Sequence, residues 1–339
     1  MTMRCPNTFT HPDWIRAISA HLPGGEMLRV PGQGMARLST VIQAKSWPIP
    51  HVDTWVTALS PAGIPISARQ PDPVDALALI DATESPMLFR DLPVDHPTTD
   101  SLLRAATHAK IINRWRRAAL NLTGTFEDWI QTNFDQKRRK ELKRLRARLG
   151  EQGKLESIEL QQNGDLAPFT EAFLKLEVES WKGKRGTAIG NSPQATKALH
   201  AGLEAMHGAG RLKFWQINFN DEPIASLFAL TDDGEATLGK IAHAHAYAKY
   251  SPGVLIILDA TAALFADKTM IRADSNAIPD HPMIDRIWRD RIECVDALLA
   301  GPSTPTAVFQ ILSLWLGTKA AIKPIIKRHV ARITGRKIS

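Results

Sequence analysis

The sequence predicts a mixed α/β fold, and three observations lead to this prediction. The 339 residues are 44% hydrophobic and 23% charged, which excludes disordered, collagen-like and disulfide-scaffold chains. From residue 155 the periodicities follow the order strand, helix, helix, three strands, helix, strand, helix. Neither G-x-G-x-x-G nor G-x-x-x-x-G-K-[ST] occurs, which argues against a dinucleotide-binding or P-loop domain.

In the first 120 residues, short apolar runs separated by Pro and Gly turns predict three strands and two helices. The strands are placed at 54–60, 87–92 and 109–115, and the helices at 73–82 and 99–108. Residues 126–149 are predicted to form one amphipathic helix. Its second half, 136–148, carries eight cations against the single acid Glu141, and a solvated helix face is the simplest interpretation.

The second half of the sequence predicts five strands and four helices. The strands are placed at 155–161, 213–220, 222–231, 235–244 and 271–274, and the helices at 168–180, 193–208, 254–266 and 283–299.

The positive charge of the chain is concentrated in its last segment. Lysine and arginine number 42 against 35 acidic residues, and residues 301–339 hold seven of these cations and no acid. The rest of the chain is balanced, which argues against a nucleic-acid-binding protein. The sequence of residues 305–339 predicts an amphipathic helix that suits an anionic membrane surface. Packing of this helix against the rest of the protein is the competing interpretation.

Other general features predict a cytoplasmic protein, and contact of its tail with the inner face of the membrane is one of the two interpretations of residues 305–339. No stretch approaches the ~20 apolar residues of a membrane span. The first 25 residues lack the apolar core of a signal peptide. Two cysteines give no disulfide framework.

The turn before residues 254–266 is the strongest candidate for a ligand site. Ser251 and Pro252 open a strongly apolar helix, where a proline is well tolerated. The backbone amides of Gly253, Val254 and Leu255 are then expected at the positive end of the helix dipole. Such a helix start suits an anion such as a diphosphate.

Both tyrosines and two histidines cluster just before this turn. Tyr247 and Tyr250 are candidates for chemistry or for packing at the edge of a loop. His243 and His245 lie two residues apart on a predicted strand and therefore share a face. Because no third ligand has suitable spacing, we predict no metal site.

Several short motifs, taken in order, resemble the GNAT-like acyltransferase family of the CelD type, also called BioF-like. The resemblance covers about residues 50–300, and the set of motifs is more specific than any one of them. The motifs are Glu-Ser-Trp-Lys-Gly at 179–183, Gly-Thr-Ala-Ile at 186–189, Lys-Ile-Ala at 240–242, Tyr-Ser-Pro-Gly at 250–253, Asp-His-Pro-Met-Ile at 280–284, and Trp288.

The resemblance implies two GNAT-like lobes in tandem, related to the Fem transferases, with mixed sheets flanked by helices. On this basis we expect a degenerate N-terminal lobe (1–125), a basic connecting helix (126–150), an acyltransferase lobe (151–300) and a basic helical tail (301–339). It also implies that the turn at Ser251 holds the diphosphate of acetyl-CoA or a longer acyl-CoA. The backbone from Lys240 to His245 would polarise the thioester.

The resemblance leaves the general base open, because the family carries acidic residues where this chain has His243-Ala244-His245. The histidines titrate near neutrality and are the first candidates. Asp280 and His281, bracketed by prolines, come next, although Asp280 is equally suited to cap the following helix. The remaining candidates are Glu179 and Tyr247.

The loop after residue 180 supplies candidates for acceptor binding. Lys182 and Arg185, beside Trp181, suit a carboxylate or phosphate of the acceptor, and a solvated basic loop is the alternative. We therefore predict acyl transfer from acyl-CoA to an amine or hydroxyl of a small-molecule, lipid or sugar acceptor. The alternatives are a Fem-type aminoacyl-tRNA-dependent transferase, with tRNA on the basic helix, and a non-catalytic assembly factor at the membrane.

Overall fold

The computed structural model describes residues 7–31, 38–61, 63–67, 72–180, 183 and 186–334, and in the last helix it describes side chains up to residue 322. The strands in this part of the chain are β1 (Glu26–Val30), β2 (Leu38–Lys45), β3 (His51–Thr54), β4 (Ile66–Ser67), β5 (Met87–Pro93), β6 (His108–Asn121), β7 (Leu155–Glu159), β8 (Leu212–Phe219), β9 (Glu222–Asp232), β10 (Glu235–His243), β11 (Arg272–Asp274) and β12 (Asp290–Ala300). The helices are α1 (Pro12–Ser19), α2 (Pro73–Asp81), α3 (Pro97–Ala105), α4 (Phe126–Asn133), α5 (Gln136–Gly150), α6 (Ala167–Glu179), α7 (Pro193–Gly208), α8 (Pro252–Ala266) and α9 (Thr306–Thr334).

The strands form one mixed sheet. Its order is β1-β2-β3-β5-β12-β6-β11-β10-β9-β8-β7, with β4 beside β2. The pairs β3–β5 and β10–β11 are parallel, and the other pairs are antiparallel. This arrangement confirms the predicted mixed α/β fold with a large sheet flanked by helices.

Helices cover both faces of the half of the sheet that contains β8 and β9. Trp215 and Ile217 belong to the apolar cluster that includes α8, whereas Phe214 and Phe228 belong to the cluster that includes α1, α6 and α7. Side chains of a strand alternate between the two faces, so both faces of these strands are buried. The nearly continuous apolar sequence of β9 follows from this burial.

The two ends of the chain each pack against the opposite half of the sheet. Helix α1 packs on α7, where a Cβ on Gly202 would lie 2.6 Å from the ring of Trp14. Strand β12 lies between β5 and β6, and it pairs with β6 along its whole length. The expected lobe boundaries stay a prediction, and the sheet is continuous across them.

The prediction of a helix over 283–299 is wrong. After a short 3-10 turn (Ile284–Arg286), residues from Asp290 onward form β12, a central strand of the sheet. Its last seven residues are all buried, including Asp296. Periodicity alone does not separate a strand buried on both faces from a buried helix.

The single helix predicted over 126–149 is two helices. The backbone is extended at Phe134 (φ −126°, ψ 134°), whose ring is buried. Asp135 then caps α5 by accepting a hydrogen bond of 2.6 Å from the Arg138 N–H. A buried ring and an N-cap in sequence therefore end one helix and begin the next.

Two strand predictions in the first half need correction of their bounds. The predicted strand 54–60 shares only Thr54 with β3, because the backbone of Thr57 and Ser60 closes a turn. The predicted strand 109–115 extends to Asn121, since β6 pairs with both β12 and β11.

Helix α9 confirms the predicted helical tail, and its first part packs on the body. Phe309, Leu312 and Leu316 are buried against Leu88 and Leu298 of the sheet. Within the described residues, no helix combines the length and the hydropathy that crossing a membrane requires.

Candidate active site

The parallel strands β10 and β11 separate beside the predicted turn. They pair only from Glu235 to Thr237, opposite Arg272 to Asp274, and β10 continues to His243. In the described part of the chain no strand pairs with this second half of β10 on its β11 side. The separation leaves one backbone edge of β10 open, which a ligand can approach.

A β-bulge marks the start of this open edge. The register between β10 and β9 shifts between Leu238 and Ile241, at Gly239 and Lys240. A Cβ on Gly239 would lie 2.3 Å from the ring of Phe228, so the close packing here requires glycine. Bulges bend a strand and redirect its side chains, and they are frequent next to active sites.

The chain leaves β10 through a 3-10 turn (His245–Tyr250) and enters α8 at Pro252. Ser251 lies in the left-handed region (φ 54°, ψ 51°), and its side chain makes no capping hydrogen bond. The N–H groups of Val254 and Leu255 both donate to the Ser251 carbonyl, at 2.9 and 3.1 Å. Two of the three amides expected to hold an anion are therefore bonded within the first turn of α8.

The end of β10 and the loop before β12 both lie against Gly253. A Cβ on Gly253 would lie 2.9 Å from His243 Cδ2 and 3.3 Å from Met283 Sδ. The structure thus brings together three of the motifs singled out from the sequence, although 30 residues separate Gly253 from Met283. A side chain at residue 253 would displace these neighbours.

The other base candidates have different surroundings. His245 is exposed, and Tyr247 packs edge-on against Phe219 with ring centroids 5.4 Å apart. His281 Nδ1 accepts hydrogen bonds of 3.3 and 3.4 Å from the N–H groups of Met283 and Ile284, and so caps the 3-10 turn.

The acidic candidates are both exposed. Asp280 has a left-handed backbone (φ 56°), and Glu179 is at the end of α6. Its neighbour Glu177, which the sequence analysis passed over, is fully buried and accepts a hydrogen bond of 2.8 Å from the Ile189 N–H. Trp181, Lys182 and Arg185 lie outside the described residues.

A second cluster, which the sequence did not reveal, is centred on the buried side chain of Arg117. The guanidinium donates two hydrogen bonds to Asp274, at 2.7 and 2.6 Å, and a third to Asp91. Only 2% of the Arg117 side chain is exposed. Asp274 is the last residue of β11, so the cluster lies where β10 and β11 separate.

Asp91 is in an unusual backbone conformation for the middle of a strand. Its φ is 58°, in the left-handed region, and the pairing of β5 with β12 is irregular opposite it. Its N–H donates to Asp296 Oδ1 at 3.1 Å. Burial raises the pKa of the Asp91 carboxyl, and Arg117 opposes that shift. Strained residues of this kind concentrate at functional sites.

These charges line a cleft of about 530 Å³. Arg90 spans two of its carboxylates, with contacts of 3.0 Å to Asp53 and 3.4 Å to Asp296. Trp115 and the loop residues 276–279, which are apolar except for Asn276, complete the walls. The same loop leads to Met283, so it connects the cleft with the turn at Gly253.

Besides the open edge of β10 and the cleft at Arg90, a depression of about 540 Å³ lies between α4, α5 and α8. Its apolar side includes Leu142, Leu255 and Leu258, and Lys140 and Lys143 are on its rim. Within the described residues, six cations of α5 form no ion pair with an acid. They are Lys137, Arg139, Lys140, Lys143, Arg144 and Arg148.

The described residues contain no group of three or more histidines, cysteines and carboxylates that could hold a metal ion.

Comparison with known proteins finds a family similarity for part of the chain. Residues 136–274 match the family model described as an acetyltransferase (GNAT) domain. This range contains α5 to β11, and therefore includes the open edge of β10 and the turn at Gly253. This part of the chain is therefore similar to GNAT-type acetyltransferase domains. No relative was found among curated proteins.

Solved structures share the fold of nearly the whole chain. FemX matches with a TM-score of 0.57 and 9% identity, covering 91% of this chain and 95% of FemX. L-PGS from Bacillus licheniformis matches at 0.53 and 9%, covering 93% and 99%. A conserved protein of unknown function from Bacteroides thetaiotaomicron matches at 0.56 and 12%, covering 88% and 94%. At these identities the likeness shows the fold alone.

Proposed function

We propose that this protein is an acyl-CoA-dependent transferase that moves an acyl group to an amine or hydroxyl in polysaccharide, lipid or envelope metabolism. The observation that carries the proposal is the separation of β10 from β11 beside the start of α8, within the matched domain. An open strand edge next to a helix N-terminus offers backbone donors and a favourable dipole to one extended anionic ligand.

The donor would lie along this edge with its diphosphate at the turn. The Gly253 N–H forms no hydrogen bond to the described part of the protein, and the Ser251 side chain makes no capping bond. Because the Val254 and Leu255 amides already bond to the Ser251 carbonyl, we assign them no direct contact. The backbone from Lys240 to His245 would then polarise the thioester carbonyl.

The transfer needs no covalent enzyme intermediate. The acceptor nitrogen or oxygen attacks the thioester carbon, the acyl–sulfur bond breaks and CoA leaves as a thiolate. The nucleophile's proton goes to a base, and ultimately to the thiolate. We propose His243 as this base, since among the candidates its ring is the one that lies against Gly253.

The cleft around Arg90 and Asp296 is the proposed acceptor site. Its cations are matched by carboxylates, so it suits an uncharged or zwitterionic polar group rather than a polyanion. Paired carboxylates and a tryptophan suit a sugar, whose hydroxyls donate hydrogen bonds and whose ring packs on an indole. The loop from Asn276 to Met283 would place this acceptor next to the donor.

One observation favours a second candidate, a Fem-type transfer from aminoacyl-tRNA. The unpaired cations of α5 lie beside α8, and phosphates are their natural partners. This candidate predicts tRNA binding that weakens steeply with salt.

Thermal unfolding with and without ligands tests the proposed donor. Acetyl-CoA at about 100 times its dissociation constant is expected to stabilise the protein by ~2.7 kcal/mol and raise the Tm by a few degrees. Gly253→Val should abolish the shift, because the new side chain would collide with His243 and Met283. The control is Gly208→Ala, where a Cβ meets no atom within 4 Å.

Three results separate the functions. A shift with acetyl-CoA that is lost only in Gly253→Val supports acyl-CoA-dependent transfer. A shift with tRNA but not with CoA esters would support the Fem-type reaction instead. No shift with either would leave the non-catalytic assembly factor, and the acyltransferase proposal would be wrong.

A further inference from the structure

Two segments far apart in the sequence form one exposed apolar surface. Trp47, in the turn between β2 and β3, is 68% exposed, and its ring stacks on Trp315 of α9 with centroids 5.9 Å apart. Ile311 and Leu314 on α9 are 58% and 73% exposed. We refer to Trp47, Ile311, Leu314 and Trp315 as the outer patch. Contiguous exposed apolar residues of this kind mark interaction sites.

The exposed residues Ile311 and Leu314 of the outer patch are not required to hold α9 on the sheet, whereas Trp315 is half-buried against it. The opposite side of this helix already buries Phe309, Leu312 and Leu316 against Leu88 and Leu298. A helix with apolar residues on two sides therefore has one side satisfied by the body and one that faces outward. None of the described residues covers the outward side of Ile311 and Leu314, so a partner can bind there.

Positive charge borders the outer patch. The Lys319 ammonium lies 4.8 Å from the centroid of the Trp315 ring. Residues 301–339 contain seven cations and no acid, and α9 continues as far as Thr334. A helix that lies on an anionic bilayer typically combines aliphatic side chains, tryptophan at the boundary between its apolar and polar sides, and lysines without nearby acids.

We propose that the outer patch docks the protein on an anionic lipid bilayer, with α9 in the plane of the surface and Trp47 at the level of the headgroups. A nucleic acid would satisfy the cations but would leave Ile311 and Leu314 in water. A second copy would bury these residues but would bring two cationic tails together. A bilayer satisfies both the apolar and the charged parts of the surface.

Sedimentation with vesicles tests this proposal on the full chain. The protein should bind vesicles of phosphatidylcholine with about one third phosphatidylglycerol, and bind phosphatidylcholine alone at least about tenfold more weakly. Raising the salt concentration should weaken binding to the anionic vesicles, because it screens the cations.

Point variants assign the binding to the outer patch. Leu314→Ser and Trp47→Ser should each lower the partition coefficient about tenfold, since each removes apolar area from the contact. Leu314 is 73% exposed, so Leu314→Ser should leave the Tm unchanged. Trp47→Ser also removes the stack on Trp315 and should lower the Tm by a few degrees. The matched control is Ile271→Ser, which removes a side chain of similar exposure, 69%, from the loop before β11 and should bind as the unaltered chain does.

Four outcomes would overturn the proposal. The first is equal binding to neutral and anionic vesicles. The second is binding that Leu314→Ser and Trp47→Ser leave unchanged. The third is a loss of vesicle binding in Ile271→Ser as large as the loss in those two variants. The fourth is a dimer in sedimentation velocity that Leu314→Ser dissociates, which would make the outer patch an interface between copies.

Discussion

Among single residues, Arg117 stands out because its charged side chain is almost completely buried. Its guanidinium is buried and shared between Asp91 and Asp274, and both carboxylates are buried with it. Burying charges costs several kcal/mol per ion, which only a well-formed network offsets. Arg117 therefore joins β5, β6 and β11 at the point where the sheet opens.

Removing the Arg117 charge should destabilise the protein strongly. Arg117→Met leaves two buried carboxylates without their cation, and we expect a loss of about 3–5 kcal/mol in the free energy of unfolding at pH 8, measured by urea denaturation. The loss should shrink as the pH falls, because the pKa of Asp91, already raised by burial, rises further without Arg117 and protonation removes the buried charge.

Arg104→Met is the control for this prediction. Arg104 pairs with Asp100 on an exposed surface, with 74% and 56% of the side chains accessible, so the change should stay within about 0.5 kcal/mol. If both variants lose equally little, the Arg117 cluster does not stabilise the opening of the sheet.

The sequence predicted the residues around Gly253 better than those around Arg117, for a physical reason. Ser251, Pro252 and Gly253 are adjacent, and a helix start has local signals that a sequence displays. Arg117, Asp91 and Asp274 meet only through the sheet, and the left-handed φ of Asp91 depends on its irregular pairing with β12. No local pattern encodes that contact.

At the level of elements, periodicity placed most helices and strands within a few residues and failed where burial is complete. Helix α7 matches its predicted bounds, because its apolar residues occupy one face. Strand β12 was predicted as a helix, because it is buried on both sides and lacks the alternation of a half-buried strand. The break between α4 and α5 was missed because the helical spacing of apolar residues continues through Phe134.

The start of α5 should depend on the side chain of Asp135. Asp135→Ala removes the acceptor for the Arg138 N–H, and we expect a loss of about 1 kcal/mol in the free energy of unfolding. Glu151→Ala, at the exposed other end of α5, is the control and should change stability by less than about 0.5 kcal/mol. Equal stability of the two variants would contradict the assigned cap.

On the scale of the whole molecule, each end of the chain packs on the opposite half of the sheet. The two halves therefore depend on each other for stability. The N-terminal helix α1 covers the half that holds the turn at Gly253, and β12 completes the other half. Tandem lobes stay a prediction from a family resemblance, and neither composition nor periodicity indicated that each end of the chain packs on the opposite half of the sheet. Such pairing is set by contacts between residues that are hundreds of positions apart.

Two shortened chains test this dependence. A chain that ends at residue 289 loses β12 and α9, leaves edges of β5 and β6 unpaired, and should be insoluble. A chain that ends at residue 322 keeps both packed segments and should keep its Tm within about 4 °C. It lacks six of the seven tail cations, so it should also bind anionic vesicles more weakly. A soluble, cooperatively unfolding chain of residues 1–289 would show that β12 is dispensable.

The position of β12 also has a consequence for biosynthesis. The ribosome releases β5 and β6 long before it makes the strand that belongs between them, so the nascent chain must hold both edges apart while residues 122–289 emerge. Completion of the sheet is then a late event of high contact order. During that interval the nascent protein depends on chaperones or on rapid folding. Either would keep the edges of β5 and β6 from pairing with other nascent chains on the polysome.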